Sequence, residues 1–315
     1  MKYLKNHRKQ AGLFLCFLTC AFFSLFSVKN TVQAEGQPRS WEPGEITAFE
    51  QGEGSEENPY EIASEKQLAL LSQKVNSGES FAGKYFVLNK NLNLSGNAWE
   101  AIGGNGKARA FAGSFDGNGY TISGLYINSG EDNEGLFGVV SGTVKNLTVA
   151  GEMNVFGNDA GGIAGYLNGG VISSCTSKVN ITALGENTGG IAGENTGKIK
   201  NCINEGKISS EGIKVGGIFG YHQYLGYPEN KIPVIENCEN RGDITGEQQV
   251  GGIAGYDGSV MEYCKNTGNV TGILHTNIGG VVGEGYDIHH CFNNGVVSGG
   301  KTSGEYRQGV GGIAG

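Results

Sequence analysis

Five residues, GGIAG, recur at 161–165, 189–193, 251–255 and 311–315, with near-copies GGIFG at 216–220 and GGVVG at 279–283. Counted from the first residue of each phrase, the intervals are 28, 27, 35, 28 and 32, and EGLFG at 134–138 is a degenerate copy 27 residues upstream of Gly161. A second phrase keeps step with the first: CTSKVNIT from Cys175, CINEGKIS from Cys202, CENRGDIT from Cys238, CKNTGNVT from Cys264 and CFNNGVVS from Cys291. Two phrases in phase at a period near 28 restrict the chain to a repeat architecture before any single motif is weighed.

Each unit offers three short candidate strands: the GGIAG phrase, the run into the cysteine, and the G-x-[IV]-[ST] run. Gly and Asn bound them and supply the positive φ values of sharp corners. Three strands and three corners in 27–28 residues predict an all-β fold, a parallel β-helix with three-strand rungs stacked about 4.8 Å apart. The phrase glycines then mark a corner where backbones of adjacent rungs approach closely. With 57 glycines but only 5 prolines and no G-X-Y period, the chain is not collagen-like. Regularly placed Ile, Val, Leu and Phe exclude a flexible linker. A phosphate-binding loop fails on detail, because GENTGKI at 193–199 has three residues between its glycines and ends on Ile199.

The ends differ from the repeats. Residues 1–34 combine a basic start, an apolar run from Ala11 to Val28 and VQA at 32–34, the pattern of a signal peptide cleaved after Ala34. An uncleaved anchor is the rival reading, since the run approaches spanning length. Cleavage leaves 18 Lys and Arg against 31 Asp and Glu, a net charge of −13. That balance argues against nucleic-acid binding, and the lack of a second apolar segment predicts no membrane contact afterwards. Residues 35–58 read as a solvated acidic leader and 59–133 as an N-terminal cap. Within the cap, SEKQLALLSQKVNSG at 64–78 predicts a capping helix, with Ser64 and Gln67 as its capping box and Leu68, Leu71 and Val75 on one face. The solenoid runs from 134 to 315 and stops on Gly315 inside a repeat, so we expect a truncated array with further domains or repeats downstream.

The candidate chemistry is sparse. Cys175, Cys202, Cys238, Cys264 and Cys291 occupy one place in their rungs, and Leu147 stands there in the preceding unit. A leucine in that slot predicts a structural core column, where free cysteine acts as a small hydrophobe, rather than a metal site. The asparagines two residues further on predict a ladder of stacked amides. The longest interval holds an insertion, YHQYLGYPENKIP at 221–233, whose Tyr221, His222, Tyr224 and Tyr227 suit stacking on a sugar or peptide. Tyr166, Glu194, Tyr221, Tyr256 and Glu284 follow the glycine phrases and form a possible binding stripe. Three rungs separate Glu194 from Glu284, about 14 Å, too far for a glycosidase pair. His289 and His290 are adjacent and cannot share a metal on a strand. FDGNG at 115–119 lacks the further ligands of a calcium loop. No catalytic residue, cofactor or metal is expected.

The repeated GG[IV][AV]G phrase resembles the GLUG motif of bacterial surface proteins. The upstream GSEENPYEIASEKQLALLSQKVNSG, GKYFVLNKNLNL, FAGSFDGNGYTISGLYI and GLFG are similar to the segment that precedes it in that family, so the resemblance covers about 54–315. It implies a parallel β-helix exported to the cell surface. Similar repeats occur in the non-catalytic N-terminal region of immunoglobulin A1-specific zinc metallopeptidases, whose zinc-binding H-E-x-x-H this chain lacks. An L-P-x-T-G sorting signal is also absent, which leaves attachment open. The expectation is a secreted or surface-displayed solenoid serving as a non-enzymatic binding, adhesion or spacer module for an extracellular protein or glycan. Two alternatives stay open: the exosite-like front of a larger metallopeptidase, and a glycan-active β-helix enzyme.

Overall fold

The computed structural model describes residues 40–104, 109–222, 233–274, 276–299 and 309–315. The signal-peptide reading of 1–34, the start of the leader, and Tyr224 and Tyr227 lie outside them. The described residues form a parallel β-solenoid of about eight turns with one helix near the N-terminal end. Among the described residues the strands form 13-, 12- and 6-stranded sheets, and the pairings are parallel and in register from turn to turn, apart from shifts between Ile122 and Leu125 and between Asp257 and Val260. Among the described residues no helix is long and apolar enough to cross a membrane.

One turn shows the plan. Thr188–Gly189 belongs to the smallest sheet, Ala192–Asn195 and Lys198–Lys200 to the largest, and Ile203–Asn204 and Ile208–Ser210 to the third. The rung therefore has five short strands rather than three, and GGIAG is split across a corner instead of forming one strand. Alternation decides which side chains turn inward. Ile199 is buried between the lysines at 198 and 200, and its register partners Ile172 and Ile235 are buried too. The central residues of the phrase, Ile163, Ile191, Ile218, Ile253 and Val281, are likewise buried.

The corners correct the expectation about glycine. Positive φ falls at the residue before each cysteine-column position: Asn146, Ser174, Asn201, Asn237, Tyr263 and His290, at 52–54°. A second set, Asn133, Asp159, Asn187, Lys214, Gln249 and Asn277, lies at 49–62° before the glycine phrase. The phrase glycines are absent from the left-handed region and are required for space. A Cβ on Gly189 would collide with the Ala192 carbonyl, and one on Gly193 with the Asp159 backbone of the preceding turn. The second glycine of the phrase makes room for the asparagine of the other: a Cβ on Gly190 would strike Asn204, on Gly217 Asn240, and on Gly252 Asn266. This contact is why the two phrases stay in phase.

Those asparagines form an amide ladder. Asn204 Nδ2 donates to Asn240 Oδ1, Asn240 to Asn266 and Asn266 to Asn293, each at 2.8 Å. The same amides donate to the carbonyls of Gly206, Gly242 and Gly268 at 2.8–2.9 Å, which satisfies a buried corner. Outside, Lys178, Glu205, Arg241, Glu239 and Lys265 alternate in charge across four turns, with contacts of 2.7–3.3 Å.

The N-terminal turns are built differently. The helix spans Glu65–Asn76, with Ser64 Oγ accepting from Gln67 N–H as the capping box expects, while the reciprocal bond is shifted by one residue, Gln67 Oε1 accepting from Ala63 N–H. Leu68, Leu71 and Val75 are fully buried. Phe49, Tyr60, Phe81, Phe86, Phe111, Phe115 and Phe137 form a continuous aromatic cluster with centroids 5.0–6.0 Å apart. The leader reading needs correction from Ser40 onward. Trp41 N–H donates to the Ala98 carbonyl, Trp41 Nε1 donates to Leu94 O at 2.8 Å, and Phe49 joins the cluster. The apolar surface of these two rings anchors the stretch, while Glu42, Glu45 and Glu50 stay exposed.

Candidate functional site: a tyrosine and carboxylate stripe

On the strands that begin the largest-sheet side of each turn, Glu194, Tyr221, Tyr256 and Glu284 are half-buried while the glycine before each is buried, so the residue following the glycine phrase faces outward in those turns. Register places Tyr166, Glu194, Tyr221, Tyr256 and Glu284 in one column along the solenoid. The column is not uniform. Tyr166 is buried, with its hydroxyl 3.3 Å from Asn168 Oδ1 and 3.4 Å from Thr196 Oγ1, and so does not present a surface ring. Tyr221 and Tyr256 are half-buried with ring centroids 5.5 Å apart, and Tyr256 meets the exposed Tyr286 edge-on at 6.3 Å. Three rings thus follow one another over three turns.

Charge and amides flank the rings. Lys214 Nζ lies 4.5 Å above the Tyr221 ring and 3.2 Å from Glu186. Glu284 Oε2 accepts from Gln249 Nε2 at 2.7 Å and Asn277 Nδ2 at 2.8 Å. Lys214, Gln249 and Asn277 all belong to the left-handed corner column, so the corner geometry aims their side chains beside the stripe. The hydrogen bond to Tyr286, then burial and the charge of Glu284, push the Tyr256 phenol up to about 12. Tyr256 therefore stays a neutral donor and acceptor at neutral pH. The stripe can stack apolar ring faces and hydrogen-bond hydroxyls or amides. Glu194 and Glu284 stand three turns apart in it and do not form a paired-carboxylate centre.

The other sequence candidates fall elsewhere. His222 is not a surface ligand: it ends the Phe219–His222 strand and is fully buried, because alternation turns it inward next to the outward Tyr221. The free thiols of Cys175, Cys202, Cys238 and Cys264 are buried in the main apolar cluster with Leu147, and the half-buried Cys291 packs against it. Each S–H donates to the carbonyl two residues earlier at 3.2–3.4 Å. Burial pushes the Cys175 and Cys238 thiols well up, away from the thiolate that metals and electrophiles need. His289 pairs with Asp287 at 2.6 Å, and His290 stacks on Tyr263 at 5.0 Å. In FDGNG, Asp116 Oδ1 accepts from Asn118 N–H and Asn146 Nδ2, as a turn residue does.

Sequence reasoning missed Tyr286 and Lys214. Tyr286 follows Glu284 by two residues, the spacing that returns a strand side chain to the same face, and that was a usable signal. Nothing in the sequence marked Lys214 as a corner residue.

No family model matches the chain. Halomucin of Haloquadratum walsbyi is 28% identical over 218 residues, 57% of this chain and 2% of that protein. A protein described by inference as a Gly-rich membrane protein, from Evansella cellulosilytica, is 35% identical over 143 residues, 44% of this chain and 15% of the relative. The chain thus matches only a small part of either relative's length. Among solved structures, a Bacteroides ovatus protein described by inference as an immunoglobulin A1 protease superposes with a TM-score of 0.66 at 24% identity, covering 84% of each chain. That likeness is one of fold.

Proposed function

We propose that the chain is an exported, surface-displayed solenoid of GLUG-type repeats that works as a non-enzymatic binding module or spacer. The observation that carries this reading is the stripe itself: ring and carboxylate side chains repeated in register on the outside of a stack whose interior is closed by apolar, thiol and amide columns. The matches to halomucin and to a Gly-rich membrane protein support a place at the cell surface. The ligand class is an extracellular glycan or protein.

The test uses the purified chain against polysaccharide and extracellular-protein arrays, with Tyr256→Ala and Tyr286→Ala as comparators. Binding that falls at least tenfold in both variants, with the fold intact, supports the stripe. Binding that both variants retain removes it as the site. Reproducible turnover of any arrayed compound sinks the non-enzymatic reading.

The fold neighbour favours a second reading, in which the solenoid is the substrate-positioning front of a larger surface metallopeptidase. Reading the gene past the codon for Gly315 separates the two, because an H-E-x-x-H helix in frame is required only by the second.

A further inference from the structure

On the inner side of the strands that carry the tyrosine stripe, three consecutive turns place a polar residue where the flanking turns place Val140, Leu167 and Gly285. These residues are Asn195, His222 and Asp257. Leu167 pairs with Val140 and with Asn195, and Asp257 pairs with His222 and with Gly285. Asn195 and His222 each follow the register partners Glu194 and Tyr221 by one residue. All three are fully buried.

Each end of the column uses one oxygen locally. Asn195 Oδ1 accepts from Gly197 N–H at 2.9 Å, and Asp257 Oδ1 accepts from Ser259 N–H at 2.9 Å and from its hydroxyl at 2.5 Å. What remains is Asn195 Nδ2, both ring nitrogens of His222, and Asp257 Oδ2, all buried without a protein partner. Buried polar atoms left so are rare and costly. Their senses are complementary. An amide nitrogen only donates, a carboxylate oxygen only accepts, and a neutral imidazole does one of each. Register sets the imidazole one turn, about 4.8 Å, from each of the other two.

We propose that Asn195, His222 and Asp257 act as one buried proton-holding column, in which neutral His222 accepts from Asn195 and donates to the Asp257 carboxylate, and which on acidification takes up one solvent proton on Asp257 while the solenoid stays folded.

The groups facing the column agree with this. Burial, the Cys264 thiol and Asp287 favour protonated Asp257, Ser259 opposes them, and the balance lifts the carboxyl to about 6. Burial holds His222 down to about 4. In the unfolded chain the order reverses, with His near 6.5 and Asp near 3.9, roughly the ordinary values. The folded Asp257 is raised, so its contribution is full at low pH and lost as pH rises through about 6. The folded His222 is depressed, so its contribution is present above roughly 6.5 and lost as pH falls toward about 4. Between about 4 and 6 each state holds one proton, on Asp257 when folded and on His222 when unfolded, and the two slopes cancel.

The experiment measures the unfolding constant from pH 7 to 4 for the purified chain and for Asp257→Asn, His222→Gln and the double variant. Relative to wild type, Asp257→Asn should unfold more readily by up to about tenfold per pH unit on acidification, one uncompensated proton. His222→Gln should become harder to unfold by a similar factor, and the double variant should run parallel to wild type. Single variants that both parallel wild type overturn the proposal. If a variant fails to fold, difference infrared spectroscopy on the wild-type chain carrying isotope-labelled aspartate decides, since the label leaves the buried Glu134 carboxyl out: a buried protonated aspartate at pH 5 in the folded state supports the column, and its absence overturns it.

Discussion

The cap turns and the repeat turns do the same work with opposite materials. In the first, Phe81, Phe86, Phe111 and Phe115 fill a wide interior, and a helix and two tryptophans cover irregular edges. In the second, the sides close on isoleucine, alanine and cysteine, and glycine lets the backbones of successive turns press together. Volume holds the cap and fit holds the repeats. A repeat turn should therefore be intolerant of added atoms, and a cap turn of lost ones.

The sharpest break of that comparison is a single added methyl. Gly217→Ala puts a Cβ into Asn240 and the Gly252 carbonyl, and should cost more than about 4 kcal/mol, read as loss of the cooperative melt. Gly130→Ala, where a Cβ meets nothing within 4 Å, should stay within about 0.5 kcal/mol of wild type. Equal effects at the two sites would remove the argument from fit. Next in size is a deletion in the cap: Phe86→Ala should cost about 3–5 kcal/mol in chemical denaturation, because Phe86 touches four other rings of the cluster.

Asn240→Ala should fall below that, at about 2–4 kcal/mol. It strands Asn266 Oδ1 and the Gly242 carbonyl inside the ladder, and each buried orphan costs about 1–3 kcal/mol. An effect under 0.5 kcal/mol, roughly that of a neutral surface change, would mean that water replaces the amide. Cys238→Ala should cost about 1–3 kcal/mol through the cavity it leaves, and unchanged stability beside stoichiometric zinc in the wild-type protein would replace core packing with a metal site. Smallest is Arg241→Ala on the outer charge ladder. It should cost about 0–1 kcal/mol and fade in high salt, although Arg241 reaches both Glu205 and Glu239.

Period, strand polarity and the inward cysteine slot were legible because each rests on a signal repeated from turn to turn, and the helix because its capping residue and apolar face are local to one short segment. The corners were not. Lys214, Gln249 and Tyr263 adopt left-handed geometry against their own preference, because the neighbouring turns impose the register. The Asn195, His222 and Asp257 column was hidden for a related reason. Asn195 and His222 end their strands while Asp257 lies inside Ala254–Glu262, and the 35-residue interval conceals that His222 and Asp257 are partners. Tyr166 looked like the other stripe tyrosines, and only the packing of Asn168 and Thr196 around it shows that its ring is covered.

In-register pairing, each turn bonding to the turn before and the turn after, also decides how the molecule answers a pull. Tension along the stack loads one turn-to-turn seam at a time, and the weakest seam peels while the rest hold. Each event pays out a whole period of about 27 residues, on the order of 90 Å of chain. A tether made this way lengthens in steps and dissipates work at each one, and a single-molecule pulling trace should show a sawtooth with that spacing.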